Sequence, residues 1–120
     1  MLLHTEIMPA NLLARRDEEG RWNLSGLVDL EPAMHGQHEY ELVAVAIFLA
    51  EGDPVVLGAA LARYGYAPHQ LDQAFRRRMM AWTLLHRCGN VASYLQRLPA
   101  PTEPTFEALA DRWFTVEAAR

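Results

Sequence analysis

Nine consecutive residues, Leu42-Val43-Ala44-Val45-Ala46-Ile47-Phe48-Leu49-Ala50, carry no polar side chain. A helix through them is apolar on nearly every side and is stable in water only when other elements enclose it. The run also falls far short of the ~20 residues that cross a bilayer. It reads as the core of a globular fold, and a chain of 120 residues, 51% hydrophobic and 22% charged, has the apolar material for one such core.

The enclosing helices are legible on either side. Asp53-Pro54 pairs a cap residue with a first-turn proline and opens a helix to Arg63, where Tyr64-Gly65-Tyr66 breaks it. After Pro68, the apolar residues Leu71, Phe75, Met79, Trp82 and Leu85 step by three and four, with Gly89 placed to cap the C-terminus. Asn90 can cap a short helix to Leu98, residues 99–104 form a stiff proline-bounded linker, and Phe106, Leu109, Trp113 and Val116 mark a final helix. The first forty residues differ: residues 11–14 and 21–28 are short apolar or mixed runs separated by Arg15-Arg16-Asp17-Glu18-Glu19-Gly20, the pattern of a β-hairpin. The expected fold class is α+β, one domain over residues 1–120, with a small hairpin packed on a bundle of about five helices.

Charge and composition remove several functions. A net charge of −4 leaves no cationic surplus for nucleic-acid phosphates or an anionic membrane, so neither is expected as a partner. All 11 Lys-plus-Arg positions are arginine, which excludes Schiff-base chemistry and a phosphate-pairing lysine within the chain. The glycines, at 20, 26, 36, 52, 58, 65 and 89, form no nucleotide-cradling loop. Cys88 stands alone, and residues 1–10 lack the basic start and apolar stretch of a signal peptide, so a reducing, cytoplasmic setting is expected.

The densest set of chemistry-bearing residues is His4, Glu6 and Asn11 in a short irregular stretch, followed by Asp29 and Glu31 after a strand. Carboxylate and amide oxygens on such loops suit Mg²⁺ together with phosphate oxygens, although each could equally cap a turn. Other constellations are weaker. His35-Gly36-Gln37-His38-Glu39 offers two histidines, but Gly36 takes His35 off any helix and the order fits neither zinc-protease motif. His69 and His86 read as surface helix residues, Arg76-Arg77-Arg78 as a solvated face, and Trp22, Trp82 and Trp113 as packing residues. Cys88 has no neighbour in sequence that would make it a reactive thiol, apart from the adjacent Arg87.

Three stretches carry a family resemblance. Leu3-His4-Thr5-Glu6-Ile7-Met8-Pro9-Ala10-Asn11-Leu12-Leu13 resembles the catalytic loop of the aminoglycoside phosphotransferase and choline kinase-like family, usually His-Gly-Asp, two residues, Pro-Gly-Asn. Leu24-Ser25-Gly26-Leu27-Val28-Asp29-Leu30-Glu31-Pro32-Ala33 resembles its strand ending in Ile-Asp-Phe-Glu, and Gly36-Gln37-His38-Glu39-Tyr40-Glu41-Leu42 its following Gly-Asp-Pro-x-Tyr-Asp-Leu. The resemblance spans residues 2–45 and implies a protein-kinase-like C-lobe that moves the ATP γ-phosphate to a hydroxyl of an aminoglycoside-like or other small acceptor. It implies Glu6 as the base, Asn11 and Asp29 as holders of the Mg²⁺ ions that bridge the nucleotide phosphates, and His4 and Glu41 as braces of the loop. Glu31 would line the acceptor or second-metal region. The oxygens of Asn11 and Asp29 should share one cleft with Glu6.

The departures from the family are informative. Glu6 and Glu41 each replace aspartate, and the added methylene moves a carboxylate by more than an ångström unless the loop compensates. Thr5 and Ala10 replace glycines, which implies that neither position needs a positive φ. The family fold also has an N-terminal β-lobe whose lysine clamps the nucleotide. With no lysine present and Met1 three residues before His4, that lobe is expected to be missing, as in a truncated or proteolysed protein. Such a chain would bind ATP weakly and self-associate through the bare face. The alternative is a non-catalytic kinase-like binding or structural module.

Overall fold

The computed structural model describes residues 1–117. The all-apolar run is enclosed as its composition requires. Helix α1 (His38–Ala44) passes without a break into a π-helical segment, Val45–Ala50, and Leu42, Val43, Ala46, Ile47 and Ala50 all lie in the core. Glu51 and Gly52, at φ 49° and 81°, turn the chain out of it. Three further helices close round this axis: α2 (Pro54–Tyr64) against the π segment, α3 (Gln73–Leu85) against α1, and, beyond the short α4 (Val91–Arg97), α5 (Phe106–Phe114) against α3. Phe75, Met79, Leu109, Trp113 and Phe114 fill the space between them.

The helix starts follow their caps. Asp53 accepts from the N–H groups of Val55 (2.8 Å) and Val56 (3.2 Å), and Asn90 accepts from Ser93 (3.0 Å). Helix α2 stops where Gly65 takes φ 114°. Asp72, rather than the region of Pro68, opens α3, because Pro68–Gln70 forms a separate 3₁₀ turn.

The expected end of α3 is corrected. Gly89 is not in the left-handed region; it lies against the helix end, where an added Cβ would come within 2.7 Å of the His86 carbonyl oxygen. Leu85 is 70% exposed, and the inward stripe instead runs Phe75, Met79, Thr83, His86, so His86 is buried and not a surface residue. The arginine triplet is a largely solvated face, as expected, from which Arg76 and Arg77 pair with Asp111 and Glu107 on α5 and Arg78 with Glu39 on α1.

The strands form two small antiparallel pairs, β1 (Leu2–Leu3) with β4 (Met34–His35), and β2 (Leu12–Arg16) with β3 (Trp22–Leu27). The β2–β3 hairpin is where it is expected, with the first strand running two residues further and the second confined to Trp22–Leu27. Arg15 and Arg16 belong to the strand, and the turn closes through the Asp17 N–H bond to the Arg21 carbonyl (3.0 Å). A bulge between Leu13 and Ala14 sets the register that brings Leu12 opposite Leu27. The hairpin is not laid on the bundle: its residues are largely exposed, and Trp22, 65% exposed beneath the Arg16 guanidinium, is not a packing residue.

Leu61 is fully buried while Leu85 faces water. Truncating Leu61 to alanine should cost about 2–5 kcal/mol in denaturant unfolding, whereas Leu85→Ala should stay within about 0.5 kcal/mol.

Candidate active site

Residues 4–11 lie where the small strands meet the helices. Leu3 is buried, and the chain then turns at Thr5, which is fully buried with φ 73°. This overturns the expectation that Thr5 needs no positive φ; a β-branched residue in the left-handed region is an outlier that the surroundings must hold. Ala10, on the 3₁₀ turn Pro9–Asn11, has no positive φ, as expected.

Three groups hold the turn. The buried Glu41 carboxylate on α1 accepts from the His4 N–H through Oε1 (3.1 Å) and from the Thr5 N–H through Oε2 (2.8 Å). The Thr5 hydroxyl donates to the Pro32 carbonyl (3.3 Å). The His86 Nε2–H donates to the Thr5 carbonyl (3.2 Å) from the end of α3. His4 ties the loop to the hairpin, donating from Nε2 to the Val28 carbonyl (2.8 Å) and accepting the Glu6 N–H at Nδ1 (3.3 Å). Those partners fix its neutral tautomer.

The Glu6 side chain extends toward the end of α3. Its Oε1 lies 3.6 Å from the Arg87 Nε and 3.8 Å from the Cys88 Sγ, which donates to it. Burial, with the Glu6 charge as a lesser cause, pushes the Cys88 thiol up from its ordinary value. The thiol thus stays protonated as a donor.

Asn11 is buried, and its amide nitrogen donates to the Glu6 carbonyl (3.0 Å), which leaves Oδ1 without a hydrogen bond among the described residues. The Val28 N–H donates to the Asn11 carbonyl (3.0 Å), continuing the hairpin pairing so that Asp29 follows directly after Asn11's partner. Asp29 is exposed at φ 64°, a conformation aspartate tolerates, and its carboxylate has no protein partner among the described residues. Glu31 is exposed in the next turn, and among the described residues no side-chain bond draws it into the loop. His35 sits on β4, while His38 Nε2 pairs with the Tyr66 hydroxyl (2.8 Å), so the two histidines serve different elements.

Asn11 Oδ1 and the Asp29 carboxylate are hard oxygen donors left free of protein partners, which suits Mg²⁺. Among the described residues no group of three or more His, Cys, Asp or Glu gathers into a cage. A cation here would take one or two protein oxygens and fill its other positions with phosphate oxygens and water, the habit of Mg²⁺.

Over residues 1–78 the sequence matches the model of the phosphotransferase enzyme family. The chain belongs to this family. The match covers the loop, the hairpin, and α1 through the first residues of α3. No curated protein and no solved structure matches the chain.

The family match stops before the segment that the sequence reading missed, His86-Arg87-Cys88, which meets the loop across more than 80 positions. One signal was available. The spacing Phe75, Met79, Thr83, His86 continues the inward stripe of α3 to the histidine.

Glu41→Gln keeps the side-chain volume but sets an amide NH₂ against one of two buried N–H groups. It should destabilise the fold by about 1–3 kcal/mol in denaturant unfolding and speed hydrogen exchange at the His4 and Thr5 amides.

Proposed function

We propose that this phosphotransferase-family chain is a protein-kinase-like C-lobe that moves the γ-phosphate of ATP to a hydroxyl of a small acceptor, such as an aminoglycoside-like amine. The observation that carries this reading is the loop held by Glu41 and His4, which presents Glu6 and ties Asn11 to the Glu6 carbonyl (3.0 Å), with Asn11 Oδ1 and the exposed Asp29 carboxylate left without hydrogen-bond partners among the described residues. In phosphoryl transfer the protein's contribution is positioning and electrostatic stabilisation.

Glu6 accepts the acceptor's hydroxyl proton as that oxygen bonds to the γ-phosphorus and the bond to the ADP oxygen breaks. Asn11 and Asp29 are the residues that would hold Mg²⁺, which when bound neutralises charge on the phosphate oxygens. His4 and Glu41 keep the loop backbone in place, and Glu31 would line the acceptor or second-metal region. The sequence supplies no lysine and no glycine-rich loop, so the groups that enclose the nucleotide come from outside these 120 residues. The bare apolar side chains Leu24, Leu27, Val28 and Leu30, on and after the hairpin, support this, being the surface that a nucleotide-covering lobe would close over.

A second reading is a non-catalytic kinase-like module. It is favoured by the Arg87 and Cys88 contacts that occupy the Glu6 carboxylate.

In a polypeptide that joins these residues to a nucleotide-covering lobe, Asp29→Ala should lower Mg²⁺-dependent phosphate transfer from radiolabelled ATP by more than about a hundredfold. Glu6→Gln should do likewise, while Glu6→Asp should preserve or raise it. Unchanged turnover in Asp29→Ala removes the metal role, and the absence of transfer to any hydroxylated amine favours the non-catalytic module. The 120-residue chain alone should turn over little and should sediment as species that grow with concentration, because its apolar hairpin surface is bare.

A further inference from the structure

The peptide group that joins Thr5 to Glu6 is gripped at both of its polar atoms. Its N–H donates to Nδ1 of His4 (3.3 Å), a residue of the same loop, and its carbonyl oxygen accepts from Nε2 of His86 (3.2 Å), a residue 81 positions away. The orientation of that plane fixes the direction in which the Glu6 side chain leaves the backbone. His86 is itself fixed. It is 4% exposed, its ring stacks on Tyr40 with centroids 4.5 Å apart and planes 26° apart, and its Nδ1 accepts the Cys88 N–H (3.2 Å). The Tyr40 hydroxyl in turn accepts from the Arg87 N–H (2.9 Å), so the stacking partner and the end of α3 are tied to each other.

These partners admit one protonation state. Nδ1 must be bare to accept from Cys88, and Nε2 must carry the proton to donate to Thr5. A second proton, on Nδ1, would face the Cys88 N–H donor to donor and break the grip. Burial, the largest influence, lowers the His86 pKa from its ordinary value. The Thr5 carbonyl and the Glu6 and Glu41 charges oppose that shift, and Arg87 adds to it. The ring therefore remains neutral below the pH at which an ordinary histidine charges.

We propose that His86 is a positioning residue of the phosphoryl transfer: as a neutral Nε2–H donor it holds the Thr5–Glu6 peptide and so aims the base, without itself touching nucleotide or acceptor. The assignment rests on the reading of Glu6 as the base, although the grip on the peptide can be tested without turnover. His86 also accounts for a left-handed threonine where the family usually has glycine. Thr5 is bonded at its N–H, hydroxyl and carbonyl by three different elements, and His86 supplies the carbonyl contact.

The test has two arms. In the ¹⁵N-labelled 120-residue chain, the His86 ring should appear as the Nε2–H tautomer at neutral pH. On acidification the Thr5, Glu6 and Cys88 amide signals should move together with the His86 titration, at a midpoint below the ordinary histidine value. The sign for stability follows: the unfolded chain takes up this proton first, so stability falls with pH from the ordinary histidine range downward through the lowered value. His86→Gln, which keeps a donor but does not charge, should flatten that slope in thermal melts.

In the polypeptide that turns over, His86→Leu should lower kcat about ten- to a hundredfold with KM for MgATP within about twofold, and His86→Gln should restore most of the loss. Amides of Thr5 and Glu6 that ignore the His86 titration, or an unchanged kcat in His86→Leu, overturn the assignment. If His86→Leu fails to fold, the wild-type titration and the His86→Gln melts still decide. Coupled amide shifts in a protein that transfers no phosphate would leave the grip standing and defeat only the phosphotransfer reading.

Discussion

Two hydrogen bonds to one carboxylate join the loop to the core. Glu41 lies in the first turn of α1, where a negative charge is favoured by the helix dipole, and the residues after it, Leu42, Val43 and Ala44, are buried. Its carboxylate therefore moves only if the core helix moves. Bonds from N–H groups to an ionised acceptor are about twice as strong as neutral ones, and a buried carboxylate without such partners would be costly. The all-apolar run that forces the chain to fold round it also fixes where the His4 and Thr5 amides must sit. The site is built on the core by one residue's spacing, Glu41 next to Leu42.

The features legible in the sequence were those with local causes. Asp53 and Asn90 show their helix starts because a cap acts within three residues, and the hairpin shows in the polar turn between two mixed strands. The loop and Glu41 were legible through motif resemblance, which encodes the geometry without revealing it. Features that depend on distant partners were misread. Thr5 takes φ 73° because groups from three elements hold it, and no neighbour in sequence announces any of them. Gly89 looked like a cap, but it is small because the chain passes close to the His86 carbonyl. The Arg76-Arg77-Arg78 triplet is solvated as it reads, but its carboxylate partners on α1 and α5 could not be seen in the local sequence.

The two glutamates that stand where the family usually has aspartate do different things with the same extra methylene, about 1.5 Å of reach. At position 41 the added length lets one carboxylate span two successive amides, and burial makes that arrangement rigid. At position 6 it carries the carboxylate past the loop, to 3.6 Å from the half-exposed Arg87 and 3.8 Å from the Cys88 thiol. The Arg87 end of this pair is open to water while the Glu6 side chain is 18% exposed, so solvent screens the contact only in part. Swinging the side chain gives up only these two long contacts, whereas moving the backbone that carries it would break several buried bonds at once. The loop thus combines a fixed peptide with a side chain that can swing. Shortening Glu6 would give up the outer contacts and leave the inner ones, which the backbone makes.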